Sequence, residues 1–233
     1  MQQVPTYLII GDGRLAKHLS FYFDSLNISY LNWSRNSGLN LEELTKNSSH
    51  ILIAISDQAI ANFVEENDYL KSKILIHFSG ATHVEGVHTF HPLMTFTNEL
   101  YDKDFYPTIP FINFTNDLNF FDVFPGLTNP SQKLDQKLMP YYHALCVTGG
   151  NFTTLLWAKC SEAFLDIGIN SEMIKPYMQK VFANTLADPV KNLTGPLKRK
   201  DKMTILNNLN AIEDRKLKNL YQSFVELSQD MEL

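Results

Sequence analysis

Apolar residues in the first part of the chain fall into short runs separated by helical patterns. The first run, Tyr7–Ile10, predicts a buried strand, and a helical pattern follows from Arg14 to about Leu26. The alternation continues along the chain, which is typical of a parallel sheet with helices on both faces. Further strands are predicted at 29–33, 50–55, 73–78, 108–114 and 143–148, with a short strand within 88–96, a helix-to-strand element at 118–124, and helices at 41–45 and 58–66.

Beyond residue 150 the pattern becomes helical throughout. Phe152 and Leu155 begin an apolar series at helical spacing, and Gly168 is expected to end that helix. Three more helices are predicted at 171–186, after a Ser171 cap, at 201–209, after an Asp201 cap, and at 212–227. The predicted fold class is therefore α/β, with an N-terminal Rossmann-type parallel sheet at residues 1–149 and a C-terminal all-helical domain at residues 150–233.

The turn after the first strand reads Gly11-Asp12-Gly13-Arg14-Leu15-Ala16, a G-x-G-x-x-A pattern. The first glycine allows a tight turn, and the second lets the backbone approach a pyrophosphate. The small Ala16 permits close packing of helix on strand, and the N terminus of the helix faces the phosphates. Because the pattern lies between a strand and a helix, it predicts a dinucleotide-binding site.

The end of the second predicted strand indicates which dinucleotide is bound. NAD-binding sites usually have an acidic residue about 20 residues beyond the glycines, where it contacts the ribose. This chain has Asn32-Trp33-Ser34-Arg35 there, without an acid. A hydroxyl and a guanidinium suit a 2′-phosphate, so Ser34 and Arg35 predict NADP(H). The alternative is a solvated loop arginine.

Polar residues also follow the later strands of the predicted sheet. Ser56 and Asp57 are expected to border the ribose or pyrophosphate of the cofactor, unless they simply cap the next helix. His91, whose backbone is restricted by Pro92, is expected to donate a proton or hold a carboxylate near the nicotinamide. The alternative for His91 is a loop histidine whose ring is bonded to backbone groups.

The helical domain supplies the remaining candidates, near its junction with the sheet. Asn151 is expected to hold the substrate oxygen and Lys159 to protonate it, with Thr154 on nearly the same helical face as Asn151. Lys159 has an alternative role in an ion pair with Glu162. Arg199 is expected to bind a substrate carboxylate, unless it is a surface charge beside a helix cap.

Composition narrows the class of protein. The 233 residues are 44% hydrophobic and 19% charged with a net charge of −5, which argues against a nucleic-acid-binding face. Two cysteines without metal-ligand spacing suit a reducing cytosol, so no metal site is expected. No apolar run is long enough for a membrane span, and we expect a cytoplasmic protein. The helical domain carries apolar residues on several faces, which predicts a homodimer.

The chain resembles a family of reductase-like proteins that join an N-terminal Rossmann domain to a small helical domain. The resemblance lies in the glycine turn, in His91–Phe96, in Gly150-Asn151-Phe152, and in Leu193-Thr194-Gly195-Pro196 with Arg199 and Asp201. Lys200 stands where the family often has glycine. Lys159 is followed at helical spacing by Ala163, where the common ketopantoate reductase carries asparagine.

The resemblance implies an oxidoreductase of the superfamily that contains 6-phosphogluconate dehydrogenase, pyrroline-5-carboxylate reductase, prephenate dehydrogenase and ketopantoate reductase. Some members of the close family are similar to an alternative ketopantoate reductase. The leading expectation is therefore NADPH-dependent reduction of a small 2-oxo acid, 2-dehydropantoate to pantoate. The alternatives are a reductase of a cyclic imine or prephenate-like acid, and a non-enzymatic NADP-binding sensor or scaffold.

Overall fold

Seven strands form one sheet in the part of the chain that the computed structural model describes, residues 4–114 and 118–230. The sheet order is β2-β1-β3-β4-β5-β6-β7. The strands are β1 Tyr7–Ile10, β2 Tyr30–Trp33, β3 His50–Ile53, β4 Ile74–His77, β5 His88–Pro92, β6 Phe111–Asn113 and β7 Ser131–Lys133. The helices that alternate with these strands are α1 Arg14–Ser25, α2 Leu41–Lys46, α3 Asp57–Glu66 and α4 Phe120–Val123.

The direction of the strands defines where ligands can bind. Strands β1 to β5 are mutually parallel, β6 is antiparallel to β5, and β7 is parallel to β6. From the central strand β1, the next strand β2 is added on one side of the sheet, whereas β3 and all later strands are added on the other side. The switch point between β1 and β3 is the position where open α/β sheets bind ligands, at the carboxyl ends of the strands.

Both faces of the sheet are covered, which explains the nearly continuous apolar strands. Because side chains alternate along a strand, β1 contributes to two separate core clusters. Tyr7 and Ile9 pack with Ala16 and Phe23, both of α1. The other face carries Leu8 and Ile10, which pack with apolar residues of α3, Ile60, Phe63 and Val64. The predicted α/β fold class is confirmed.

The chain divides into two compact units, the first ending at Asn151 and the second beginning at Phe152. The second unit contains α6 Thr153–Asp166, α7 Ser171–Ala187, α8 Gly195–Arg199, α9 Lys202–Ala211 and α10 Arg215–Asp230. Gly168 ends α6 with a φ of +87°, and the next amide, that of Ile169, donates to Phe164 O at 2.9 Å. These are features of a glycine C-terminal cap, so the predicted stop is confirmed. The cap of α7 is Asn170, whose side chain accepts from Met173 N–H, rather than the predicted Ser171.

One strand prediction near the end of the sheet is wrong, and one strand of the sheet has no counterpart among the predictions. The predicted strand 143–148 is helical, since α5 Met139–Cys146 continues into a π-helical segment, Val147–Phe152. Met139 and Tyr142, one helical turn apart, pack against Ile112 and Phe114 of the sheet, and this contact favours the helix. Strand β7 was not predicted, because its three residues are polar and exposed and it pairs through its backbone.

A buried histidine of α1 fixes the irregular segment that follows β5, residues 93–102. His18 Nε2 donates to Thr97 O at 3.1 Å, so Nδ1 accepts from the Tyr106 hydroxyl at 2.8 Å. The Tyr106 oxygen in turn accepts from Tyr101 N–H at 3.2 Å. The rings of Phe96 and Tyr101 pack on the imidazole. The segment is therefore held to α1 by one connected network.

Candidate functional site

Gly11 joins three strands at the switch point of the sheet. Its N–H donates to Trp33 O at the end of β2, and Ala54 N–H donates to Ile10 O, both at 2.8 Å. Gly11 has a φ of +131°, and a Cβ at this position would lie 2.3 Å from Ala54 O. Glycine is therefore required by both the backbone conformation and the close approach of β3.

Helix α1 begins beside this junction with its first amides available to a ligand. Gly13 is the N-cap, and no described side chain caps the helix there. Asp12, Gly13 and Arg14 are exposed and Leu15 is half-buried, whereas Ala16 lies in the core, as close helix packing requires. Uncapped amides at the positive end of a helix form an anion-binding site. The glycine turn therefore fits a pyrophosphate.

Ser34 and Arg35 lie directly beside the glycine turn, because Trp33 O is bonded to Gly11. Ser34 is half-buried, and its carbonyl accepts from Ser37 N–H and Oγ at 3.0 and 2.8 Å. Arg35 is exposed and forms no ion pair with any carboxylate of the described residues. Residues 34–39 contain no acid. This corner therefore fits a phosphate better than a free ribose diol.

Ser56 and Asp57 follow β3 at the same edge. Ser56 occupies the N-cap position of α3, but its hydroxyl makes no capping hydrogen bond to the described backbone. Asp57 is exposed in the first turn of the helix, and its charge acts on the imidazoles of His77 and His91. The carboxylate thus lies within electrostatic reach of the ends of β4 and β5.

His77, which the sequence analysis did not single out, fixes the end of β4. The ring is fully buried, with Ser79 N–H donating to Nδ1 at 3.2 Å and Thr89 Oγ1 lying 2.9 Å from Nε2. Because Nδ1 accepts, the neutral ring carries its proton on Nε2. Burial lowers the pKa of His77 to about 4. His77 therefore shapes the Ser79-Gly80 turn as a neutral side chain.

His91 lies on β5, beside the turn that His77 shapes. A Cβ on Gly80 would be 2.9 Å from the His91 ring, so glycine is needed there for the imidazole to fit. His91 Nδ1 is 2.7 Å from the hydroxyl of Tyr142, and the two rings meet edge to face at 84°. Burial, with a smaller contribution from the nearby His143, lowers the pKa of His91 to about 4.

Tyr142 is the functional candidate that the sequence analysis missed. It lies on α5, directly before the run 143–148 that was predicted to be a strand, and its partner His91 is 51 residues away. Burial and a hydrogen bond with Cys146, one helical turn further on, raise the pKa of Tyr142. The phenol is therefore protonated at neutral pH. The signal in the sequence was the helical spacing of Met139, Tyr142 and Cys146.

Asn151 lies in the π-helical segment at the end of the first unit, and its side chain is exposed. Gly149 and Gly150 precede it, and a Cβ on either would meet no described atom within 4 Å. Two glycines inside a helix are unfavourable by about 1 kcal/mol each relative to alanine. Packing within the described chain does not account for these glycines.

The second unit holds Thr154, Lys159 and Arg199. Thr154 is exposed on α6. The Lys159 ammonium pairs with Glu162 at 2.9 Å and with Asp214 at 3.0 Å, and hydrogen bonds to these carboxylates raise the pKa of the lysine. The predicted alternative, pairing with Glu162, is present. A lysine held by two carboxylates is a poor acid near neutral pH.

Arg199 is the exposed last residue of α8, beside a turn with left-handed backbone geometry. Lys200 has a φ of +53°, a left-handed conformation that glycine adopts more readily than other residues. Asp201 then caps α9, accepting from Thr204 N–H at 3.1 Å and from its hydroxyl at 2.7 Å. Those bonds lower the pKa of Asp201. The predicted Asp201 cap is present.

The described residues contain neither a candidate metal site nor a candidate membrane-spanning helix. No group of three or more His, Cys, Asp or Glu side chains there could hold a metal ion. In the same ranges, no helix is both long enough and apolar enough to cross a membrane.

A family model described as a domain of unknown function, DUF2520, matches residues 121–227. Comparison with curated proteins gives no match to this sequence. Solved structures match over nearly the whole chain. A candidate NADP oxidoreductase from Bacteroides fragilis has a TM-score of 0.74 at 18% identity, covering 97% of this chain and 98% of its own. A Thermotoga maritima protein with no activity in its name has a TM-score of 0.70 at 17% identity, covering 96% of each chain.

An imine reductase from Myxococcus stipitatus, in complex with NADP+, has a TM-score of 0.66 at 14% identity and covers 97% of this chain and 93% of its own. At these identities the likeness concerns the fold. The chain therefore has the fold of these proteins, a Rossmann-like sheet followed by a helical C-terminal part.

Proposed function

We propose that the protein is an NADPH-dependent reductase. The observation that carries the proposal is the glycine turn, where Gly11 lets β1 and β3 meet and α1 begins without a described side-chain cap. Arg35 and Ser34 supply positive charge and a hydroxyl at the neighbouring strand end. The names of the structural neighbours, which include NADP oxidoreductases, point to the same cofactor.

Each part of this edge has a role in holding the cofactor. Gly11–Ala16 would bind the pyrophosphate through backbone amides, and Ser34 with Arg35 would bind the 2′-phosphate. Ser56 and Asp57 would border the ribose. Bound NADPH supplies a hydride to an electrophilic carbon. His91, on the third strand beyond β1, would lie about 14 Å from the glycine turn, at roughly 4.8 Å per strand.

The leading substrate is a small 2-oxo acid, 2-dehydropantoate, as the resemblance to alternative ketopantoate reductases implies. In this proposal Arg199 binds the carboxylate, while Asn151 and Thr154 hold polar groups of the substrate. We assign Lys159 a structural role, because its ammonium is paired with two carboxylates. The second candidate is a cyclic imine, which the imine reductases among the structural neighbours favour.

Cofactor binding and turnover are tested separately. Fluorescence titration should show tighter binding of NADPH than of NADH. NADPH oxidation should then depend on an added substrate, tested with 2-dehydropantoate, a cyclic imine and prephenate. Turnover of none of these, combined with tight NADPH binding, would favour an NADP-binding sensor or scaffold. Failure to bind NADPH would refute the proposal.

The helical unit supports a homodimer. Large apolar side chains are exposed on several of its helices, among them Leu155 at 67%, Phe182 at 61% and Leu186 at 71%. Large apolar side chains exposed on several helices of one unit are typical of a protein–protein interface. Light scattering should give about twice the 26.7 kDa mass of the chain. A monomer at micromolar concentration would contradict this assignment.

A further inference from the structure

The His91–Tyr142 pair allows two arrangements of its protons. In the first, the phenol donates to Nδ1 and the neutral imidazole carries its own proton on Nε2. In the second, Nδ1–H donates to the phenol oxygen, and the phenol proton turns to Cys146 Sγ. Thiol sulfur is a weak acceptor, whereas an imidazole nitrogen is a good one. Because the imidazole nitrogen is the better acceptor, the 2.7 Å contact favours the first arrangement, in which the phenol oxygen can still accept from the Cys146 thiol.

The other nitrogen of His91 remains available to a ligand. No group among the described residues forms a hydrogen bond with Nε2. No fully buried side-chain nitrogen lacks a partner in those residues, so this atom is reached by solvent. Gly80 packs closely against the ring and limits its movement on that side. The imidazole thus has one nitrogen fixed by Tyr142 and one nitrogen accessible at the carboxyl edge of the sheet.

We propose that Tyr142 is a positioning residue that holds the His91 proton on Nε2, so that the site donates a hydrogen bond to a carbonyl oxygen and takes a ketone rather than a cationic iminium. This inference rests on the proposed reductase function. Hydride addition to a ketone moves the C=O π electrons onto oxygen, and Nε2–H stabilises the resulting alkoxide. Water then supplies the proton that completes the alcohol. An iminium nitrogen is itself a donor, with no lone pair to accept from Nε2–H.

The tautomer of His91 can be read without substrate or cofactor. In ¹⁵N-histidine NMR spectra of the full-length protein, assigned with His91→Gln, Nε2 should be the protonated nitrogen and Nδ1 the unprotonated one. Tyr142→Phe should shift the proton population toward Nδ1. Tyr141→Phe is the matched control, since Tyr141 is its neighbour in α5 and is 66% exposed. That control should leave the tautomer unchanged.

Cys146→Ser gives a second perturbation of the same pair. A serine hydroxyl accepts hydrogen bonds better than a thiol, so it should draw the Tyr142 proton and increase the share of Nδ1–H. A wild-type His91 protonated on Nδ1 would overturn the proposal. So would a folded Tyr142→Phe variant with an unchanged tautomer. If Tyr142→Phe does not fold, the wild-type tautomer and Cys146→Ser decide the matter.

Turnover tests the substrate class. The kcat/KM for 2-dehydropantoate should exceed that for the cyclic imine 2-methyl-1-pyrroline by at least about tenfold. Tyr142→Phe should lower kcat on the ketone by about 10- to 100-fold, by analogy with the loss of hydrogen-bond partners of metal-bound histidines. Preference for the imine would overturn the inference. Failure to bind NADPH would refute the reductase function while leaving the NMR result interpretable. NADPH binding with an Nδ1–H tautomer would refute only the role of Tyr142.

Discussion

Replacing Gly11 with alanine should lower the stability of the first unit much more than the same replacement at Gly13 in the same turn. The new Cβ would lie 2.3 Å from Ala54 O, whereas real Cβ contacts essentially never fall below 3.0 Å. The carbonyl must therefore move by at least 0.7 Å, the difference between 3.0 and 2.3 Å. Ala54 cannot move freely, because its N–H donates to Ile10 O.

Two costs combine in this variant. A non-glycine residue at φ +131° costs about 1–3 kcal/mol, and a steric overlap in a packed region costs about another 1–3 kcal/mol. The free energy of unfolding should therefore fall by about 2–6 kcal/mol, out of a typical total of about 5–15 kcal/mol. For a unit of this size the Tm should fall by roughly 4–24 °C, measured by circular dichroism.

Gly13→Ala is the matched control in the same turn. Gly13 has a φ of −72°, and its Cβ would meet no described atom within 4 Å. Its Tm should therefore change by less than about 4 °C, the cost of a poorer N-cap residue. The added methyl group would still block close approach of a pyrophosphate, weakening NADPH binding by about 10- to 100-fold. A wild-type Tm for Gly11→Ala, or equal loss in both variants, would refute this reasoning.

Three further predictions concern Arg35 at the proposed 2′-phosphate site, the buried His77, and Lys200 in its left-handed turn. Arg35→Ala should weaken NADPH binding by about 10- to 150-fold through loss of charge-assisted hydrogen bonds, with NADH nearly unaffected; equal losses would exclude a 2′-phosphate contact. The neutral native state of His77, with a pKa lowered to about 4, is fully stabilising above pH 6.5 and loses stability as the pH falls, because the unfolded chain then binds the extra proton. His91, with the same lowered pKa, should contribute a similar amount, so urea denaturation should show a loss of about 4 kcal/mol between pH 7 and pH 5, which His77→Gln should reduce by about 2 kcal/mol; an unchanged loss in that variant would assign it to other groups. Lys200→Gly should raise the free energy of unfolding by about 0.5–1 kcal/mol by relieving left-handed strain, and an unchanged stability of this variant would contradict that strain. The control Lys198→Gly, inside α8, should lower the free energy of unfolding by about 1 kcal/mol.

Local chemistry made the first half of the fold predictable. The strand β1, the glycine turn and α1 follow one another in sequence, and the φ of +131° at Gly11 is a property of the turn itself, to which the close approach of Ala54 O adds a second reason for glycine. The same holds for Gly168 and Asp201, which end and begin helices through nearby backbone groups. Short-range rules of this kind need no knowledge of distant contacts.

The errors lie where distant contacts decide the structure. The run 143–148 is apolar enough for a strand, but its helix is favoured by packing of Met139 and Tyr142 on β6. Strand β7 carries no apolar signal, because its pairing with β6 uses backbone groups alone. Tyr142 became a candidate once the structure showed its contact with His91, which no local pattern in the sequence predicts.

The network around His18 has a consequence for motion at the carboxyl edge of the sheet. Residues 93–102 have no regular secondary structure and would ordinarily be expected to open readily. Opening them would remove Thr97 O, the acceptor of the buried His18 Nε2–H. It would also remove Tyr101 N–H, which donates to the Tyr106 oxygen. The Tyr106 hydroxyl keeps its bond to His18 Nδ1, so only the Nε2–H is left without a partner, which costs about 1–3 kcal/mol and limits the open form to between about one molecule in 6 and one in 160. The residues that follow His91 along the chain are therefore anchored to α1, and their opening has a definite free-energy cost.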